Sequence, residues 1–220
     1  MLPMRLFRSR AFSGINAASL LMFLGMFGSI FLLSQYMQGV LGYSPTEAGL
    51  RMLPWTGMPM IVAPIAGALS DRIPPSRIIG TGLALQALGL AWIAAVSSPD
   101  MSYSAIVIPF AISGIGMGMF FAPIANVVLS TVLPAEEGQA SGANNAIREL
   151  GGVFGVAVLA AVFANYGGYG SGTSFVDGMT PAVYIGAAVV GVGAVAAFAI
   201  KKRPRRAEIV ELEPALEVAA

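Results

Sequence analysis

The residues with chemistry to offer are few and unevenly placed. The turn GALSDRIPPSR, residues 67–77, holds Asp71, Arg72 and Arg77 between two apolar segments. A carboxylate beside two guanidiniums can accept from a helix N-terminus or be held across a gap by charge-assisted hydrogen bonds. Arg148 and Glu149, following Asn144 and Asn145, are a second candidate pair, with lipid-headgroup contact as the plainer reading. Asn16, Gln35, Gln86 and Asn126 stand inside long apolar runs, where a polar side chain needs a partner and so nominates a site. Near Asn126, Met119, Phe120 and Phe121 offer adaptable apolar surface for an amphipathic ligand. Interhelical hydrogen bonding and ordinary packing explain the same residues without a ligand. There is no cysteine and no histidine, which removes thiol catalysis, disulfides, the commonest metal ligand and the usual neutral-pH proton carrier. Without a nucleophile–base pair or a ligand set, neither an enzyme nor a cofactor is expected.

The surrounding sequence says what must hold these groups. Of 220 residues, 56% are hydrophobic and 10% charged, where soluble domains carry about 25% charged residues. Mean hydropathy is +0.78. Such a chain reads as all-α and polytopic, a bundle in a lipid bilayer. A span needs roughly 20 apolar residues at 1.5 Å each. Six segments qualify: 12–38, 52–70, 78–97, 104–131, 146–165 (with a helical lead-in from Pro134) and 181–200. Residues 1–11 then form a lead-in, 12–200 the six-helix transmembrane bundle and 201–220 a tail. A signal peptide is the rival reading of the first segment, but its apolar run is too long.

The basic residues orient the bundle. With the N-terminus in the cytoplasm, Arg5, Arg8, Arg10, Arg72, Arg77, Arg148, Lys201, Lys202, Arg203, Arg205 and Arg206 fall inside and only Arg51 outside. That bias predicts both termini in the cytoplasm of a cell with an inner or plasma membrane. The run KKRPRR closes the last span and suits an anionic lipid surface, and the acidic residues after it read as a disordered end. A net charge of +1 gives no reason to expect nucleic acid.

The order of residues in the turn adds more. Gly67, Leu69, Asp71 and Arg72, with Arg77 as a late basic position, resemble the loop signature of the major facilitator superfamily. Pro74 and Pro75 stand where that signature usually has glycine. Residues 114–158, GIGMGMFFAPIANVVLSTVLPAEEGQASGANNAIRELGGVFGVAV, are similar to the fourteen-helix drug:proton antiporter branch, the EmrB/QacA-like proteins, as are residues 5–38. The resemblance implies half of a major facilitator fold, built as two inverted three-helix repeats with the substrate path at their interface. It implies multidrug or small-molecule efflux by alternating access, with the fourth helix lining the cavity and the turn latching one end of the cycle. It also implies partners: an N-terminal portion of six to eight helices or another half-transporter, small amphipathic substrates, and protons. A truncated, non-transporting membrane module that packs against a partner half is the alternative. A channel is disfavoured because no ring of charges or filter-like loop is visible.

Three features remain. Pro54, Pro59 and Pro64 predict kinks in the second helix. Gly114 with Gly118, and Gly151 with Gly155, have the spacing that lets helices approach closely. Sorting the carboxylates leaves Glu47, Asp100 and Asp177 in external loops and Glu149 alone near a span, beside Arg148. The chain therefore lacks a central titrating carboxylate, and proton coupling is expected to need the other portion.

Overall fold

The computed structural model describes residues 4–199, and these form helices and turns without a strand. Their sequence leaves little alternative, since in lipid a backbone must satisfy its own hydrogen bonds. Five helices are long and apolar enough to cross a membrane, and six spans result if one bent pair counts as one. After a short 3₁₀ turn (Met4–Arg8), α1 spans Arg10–Gln35 and ends in a π-helical turn, Tyr36–Val40. The second span is broken into α2 (Pro45–Arg51), α3 (Leu53–Thr56) and α4 (Met58–Leu69). Next come α5 (Pro75–Val96), α6 (Tyr103–Ser130), α7 (Glu137–Tyr166) and α8 (Gly172–Phe198). With six crossings, the two ends of the described chain lie on the same side. The basic tail lies outside the described residues.

Three expectations are corrected. The second span starts earlier than residue 52. Ser44 and Glu47 form a reciprocal capping box that starts α2 at Pro45, and this piece meets Leu53–Leu69 at 44°. Pro54 and Pro59 do not kink a continuous helix but open α3 and α4, where a missing N–H is harmless, while Pro64 is accommodated inside α4. The last helix begins at Gly172 rather than 181. The Ser171 hydroxyl accepts from the Ser174 N–H, and Phe175, Val176 and Met179 bury against the bundle. The connection shrinks to 167–171, and Asp177 lies on α8, exposed, rather than in a loop.

The packing repeats itself. Spans one and five (α1, α7) touch along their length, and so do spans four and two (α6, α4). Spans one and six (α1, α8) match spans four and three (α6, α5), and three packs on six. Exchanging the first three spans for the last three maps each pair onto another, or, for three and six, onto itself, as two inverted repeats require. One pairing breaks the pattern: α7 and α8 pack together, while α4 and α5 are not a matching closely packed pair.

Glycine makes these contacts close. A methyl group on Gly28 of α1 would sit 2.5 Å from the Gly155 carbonyl oxygen of α7, and one on Gly82 of α5 would sit 2.7 Å from that of Gly116 on α6. The small-residue spacings read from the sequence do pack this way. Gly151 and Gly155 face Leu20 and Leu24, and Gly114 and Gly118 face the second span at Trp55 and Val62. Gly28 of α1 and Gly82 of α5, which meet Gly155 and Gly116, have no glycine four residues away to mark them in the sequence.

Candidate functional site

One face of α1 carries Asn16, Ser19, Phe23 and Phe27, spaced to lie in a stripe. The matching stripe of α7 carries Asn144, Arg148, Gly151 and Gly155. The glycines draw the parallel helices together, and the polar residues meet below them. Asn144 Nδ2 donates to Asn16 Oδ1 at 3.0 Å and to Ser19 Oγ at 3.1 Å. Asn16 Nδ2 in turn donates to the Phe12 carbonyl at 2.8 Å, and Ser19 Oγ to that of Ile15 at 2.9 Å. All three polar residues are buried. A buried amide with its donors used is structural glue, worth about 1 kcal/mol per bond in membrane helices.

One turn above Asn144, Arg148 turns into the bundle. Its guanidinium carbon lies 4.4 Å from the Phe23 ring centroid and 5.2 Å from that of Phe121 on α6. Phe23 and Phe121 meet edge to face at 6.0 Å, Phe121 meets Phe120 the same way, and Phe27 stacks on Phe23. Arg148 Nε is sealed and has no acceptor. The ion pair expected with Glu149 is not formed. Adjacent helix positions diverge by about 100°, and Glu149 is exposed while Arg148 points inward. Among the described residues the one ion pair joins Arg5 to Glu136, at the start of α7.

Magnitudes show what is missing. An arginine deep in a bilayer costs about 3 kcal/mol on insertion scales. Two desolvated cation–π contacts return about 1–2 kcal/mol each. The rings therefore offset the placement, but a buried donor left without an acceptor still costs about 1–3 kcal/mol. The site is stable but unsatisfied.

The other sequence candidates fall elsewhere. Met119 packs against Gly82 on α5, Phe120 is fully buried, and Asn126 is exposed and makes no hydrogen bond. Gln35 lies at the opposite end of α1, where its Oε1 accepts from the Tyr169 hydroxyl at 2.9 Å. It lines a cavity of about 550 Å³ with Gln38, Ser171 and Phe175. Gln86 is buried on α5 with neither amide atom partnered. Of the six cavity candidates, the structure brings together Asn16 and Phe121, with Phe120 behind them. Asn144, Ser19 and Phe23 complete the cluster. Asn144 was visible beside Arg148, whereas Ser19 and Phe23 stand out only once the α1–α7 register is known.

The signature turn is exposed. Gly67 approaches Ala122 of α6 and its carbonyl accepts from Ser70 Oγ, while Leu69, Asp71, Arg72 and Arg77 face outward. Asp71 takes no hydrogen bond from the adjacent helix N-terminus, where Pro74 and Pro75 stand at the N-cap and first helical positions. Among the described residues Asp71, Arg72 and Arg77 have no ion-pair partner.

The profile of the Major Facilitator Superfamily matches residues 15–218. The chain belongs to the Major Facilitator Superfamily. It is therefore a multi-pass membrane chain of a transporter family. It is 33% identical over 163 residues to the multidrug resistance protein B homolog of Mycobacterium tuberculosis, covering 74% of this chain and 30% of that one. It is 32% identical over 199 residues to the multidrug efflux pump LfrA of Mycolicibacterium smegmatis, covering 90% and 39%. Against the multidrug export protein EmrB of Escherichia coli the figures are 31% identity over 160 residues, covering 73% and 31%. The chain thus spans between about a third and two fifths of the length of these relatives.

Proposed function

We propose that this chain is the C-terminal portion of a proton-coupled exporter of small amphipathic molecules, working by alternating access in an inner or plasma membrane. Convergence of polar and aromatic side chains from α1, α6 and α7 on one face carries the reading. The names of its relatives support export of drugs. The remaining wall of the path comes from six to eight further helices or another half-transporter. That portion also supplies the titrating carboxylate, since no span here carries one turned inward among the described residues. The basic-residue bias supports cytoplasmic termini, a transmembrane bundle over residues 12–200 and a cytoplasmic tail.

In this reading the exposed turn is a latch. Asp71, Arg72 and Arg77 have no partner among the described residues and are free to engage the other portion. The test is ethidium efflux from an exporter-deficient bacterium expressing the complete transporter. Efflux that a protonophore abolishes, and that Asp71→Asn lowers at equal membrane abundance, supports it. Absence of efflux above the empty-vector strain overturns the transport reading, and normal efflux by Asp71→Asn overturns the latch. Single cysteines at Ser171 and Ala207 label from opposite faces, and labelling of both from outside overturns the orientation.

A further inference from the structure

The guanidinium of Arg148 has rings against it and nothing to accept from it. Phe23 and Phe121 hold its carbon at 4.4 and 5.2 Å; among the described residues its Nε is sealed without a partner, while its two Nη atoms are not among the sealed groups and stay open to a ligand. The acceptor does not come from the carboxylates nearby. Glu149 faces away, Glu136 is engaged by Arg5, and Asp71 lies in the exposed turn. Nor do the amides supply it: Asn16 Oδ1 accepts from Asn144, whose own donors are spent on Asn16 and Ser19, and Asn144 Oδ1 makes no hydrogen bond with Arg148. Above the cation the wall is apolar and open: Phe27 stacks on Phe23 and is 40% exposed.

We propose that Arg148, Phe23 and Phe121 form a binding site for an aryl carboxylate. The inference deepens the transport reading and rests on taking the α1–α6–α7 face as the wall of the path. A planar fork of N–H donors takes a carboxylate through two parallel hydrogen bonds, which an ammonium or an amide cannot reproduce. The rings exclude water around that pair and strengthen it. The flat body of the ligand lies along Phe27, where aromatic stacking adds contact without directional demand. Position suits capture. Arg148 stands about 16 Å along α7 from Glu137, at 1.5 Å per residue, in the part of the bundle nearest the signature turn. A solute arriving from that side meets the cation before the apolar wall. A side-chain carboxylate of the remaining portion of the transporter is the rival occupant, and the two are separable.

The chain is reconstituted in phosphatidylcholine nanodiscs, and binding of 2-naphthoate and of 2-naphthamide is titrated. The two probes share a ring system and differ in charge. Saturable binding is expected, with naphthoate at least tenfold tighter. Arg148→Gln removes that preference while leaving the naphthamide affinity unchanged, and Arg148→Lys, which keeps the charge without the fork, retains an intermediate preference. Equal binding of both probes to the unaltered chain overturns the site, as does an undiminished naphthoate preference in Arg148→Gln. The titration is then repeated on the complete transporter. A preference that persists there assigns the site to a dissolved solute. A preference present in the chain and lost in the complete transporter overturns the proposal in favour of a side-chain carboxylate of the remaining portion. Ethidium efflux is scored separately, so its failure beside an intact naphthoate preference counts against the transport reading and not against this site.

Discussion

Arg51 and Arg148 are held in the same way and end in different states. Arg51, at the close of α2, lies 4.0 Å from the Tyr43 ring centroid and 4.7 Å from that of Tyr103. Arg148 lies at similar distances from Phe23 and Phe121. Both cations therefore have a two-ring cradle. The outer rings are tyrosines at the bundle's edge, where Tyr103 also donates to the Arg51 carbonyl at 2.9 Å, and none of the Arg51 nitrogens is sealed without a partner. The inner rings are phenylalanines, which exclude water and offer no oxygen. An aromatic cradle is thus not in itself the mark of a site. What separates the two is that the Arg148 cradle shuts water from Nε and leaves the outward Nη edge as its one route to an acceptor.

The comparison can be broken most forcefully through its scaffold. A side chain at Gly155 collides with the Leu24 backbone, so Gly155→Leu separates α7 from α1 and dismantles the inner cradle while sparing the outer one. Destabilisation of about 3 kcal/mol or more is expected, read as loss of the monodisperse peak in detergent. A variant as stable as the unaltered chain contradicts the close approach. Next in size is Asn144→Ala, which removes the bonds to Asn16 and Ser19 beneath Arg148. It should lower thermal stability by about 1–2 kcal/mol. A coupling of zero in the Asn16→Ala/Asn144→Ala cycle would deny that the amides act together.

The outer cradle gives the smaller effects. Arg51→Gln should cost about 1 kcal/mol, the value of exposed cation–π contacts, and leave ethidium efflux by the complete transporter unchanged. Loss of the naphthoate preference in Arg51→Gln, as in Arg148→Gln, would make the two cradles equivalent and end the distinction. The smallest change has the opposite sign. A methyl group at Gly142 meets nothing within 4 Å, so Gly142→Ala should stabilise α7 by about 0.5 kcal/mol through helix propensity. Destabilisation there, seen in thermal unfolding of the same preparation, would mean that the exposed side of α7 is packed against something.

How far the site was legible depends on how local each signal is. Arg148 and Asn16 are conspicuous as polar residues in apolar surroundings, because lipid penalises them wherever they point. Their direction was not legible. The neighbouring pair Arg148 and Glu149 suggests an ion pair on paper, yet adjacent helix positions diverge, and only the packing of α7 on α1 decides which one turns inward. Met119 and Asn126 illustrate the converse. Their types suit a ligand, but α6 presents Met119 to Gly82 of α5 and leaves Asn126 on the outside. The early starts of α2 and α8 depend on the Ser44–Glu47 capping box and on the Ser171 cap, side-chain bonds that apolar counting does not weigh.

The amino-acid sequence by itself determined that this chain is helical, that it crosses a bilayer about six times, and that its signature turn belongs to the Major Facilitator Superfamily. Those properties follow from hydropathy, span length and local residue order, which need no knowledge of neighbours. The tertiary structure alone decided that Gly28 meets Gly155, that Asn144 reaches Asn16, and that Arg148 lies between Phe23 and Phe121 without an acceptor. Those contacts join residues on different helices, all but Arg148 and Phe121 more than a hundred positions apart. They depend on helix register and rotation, which many nearly equal apolar surfaces leave open until backbones interlock at glycine.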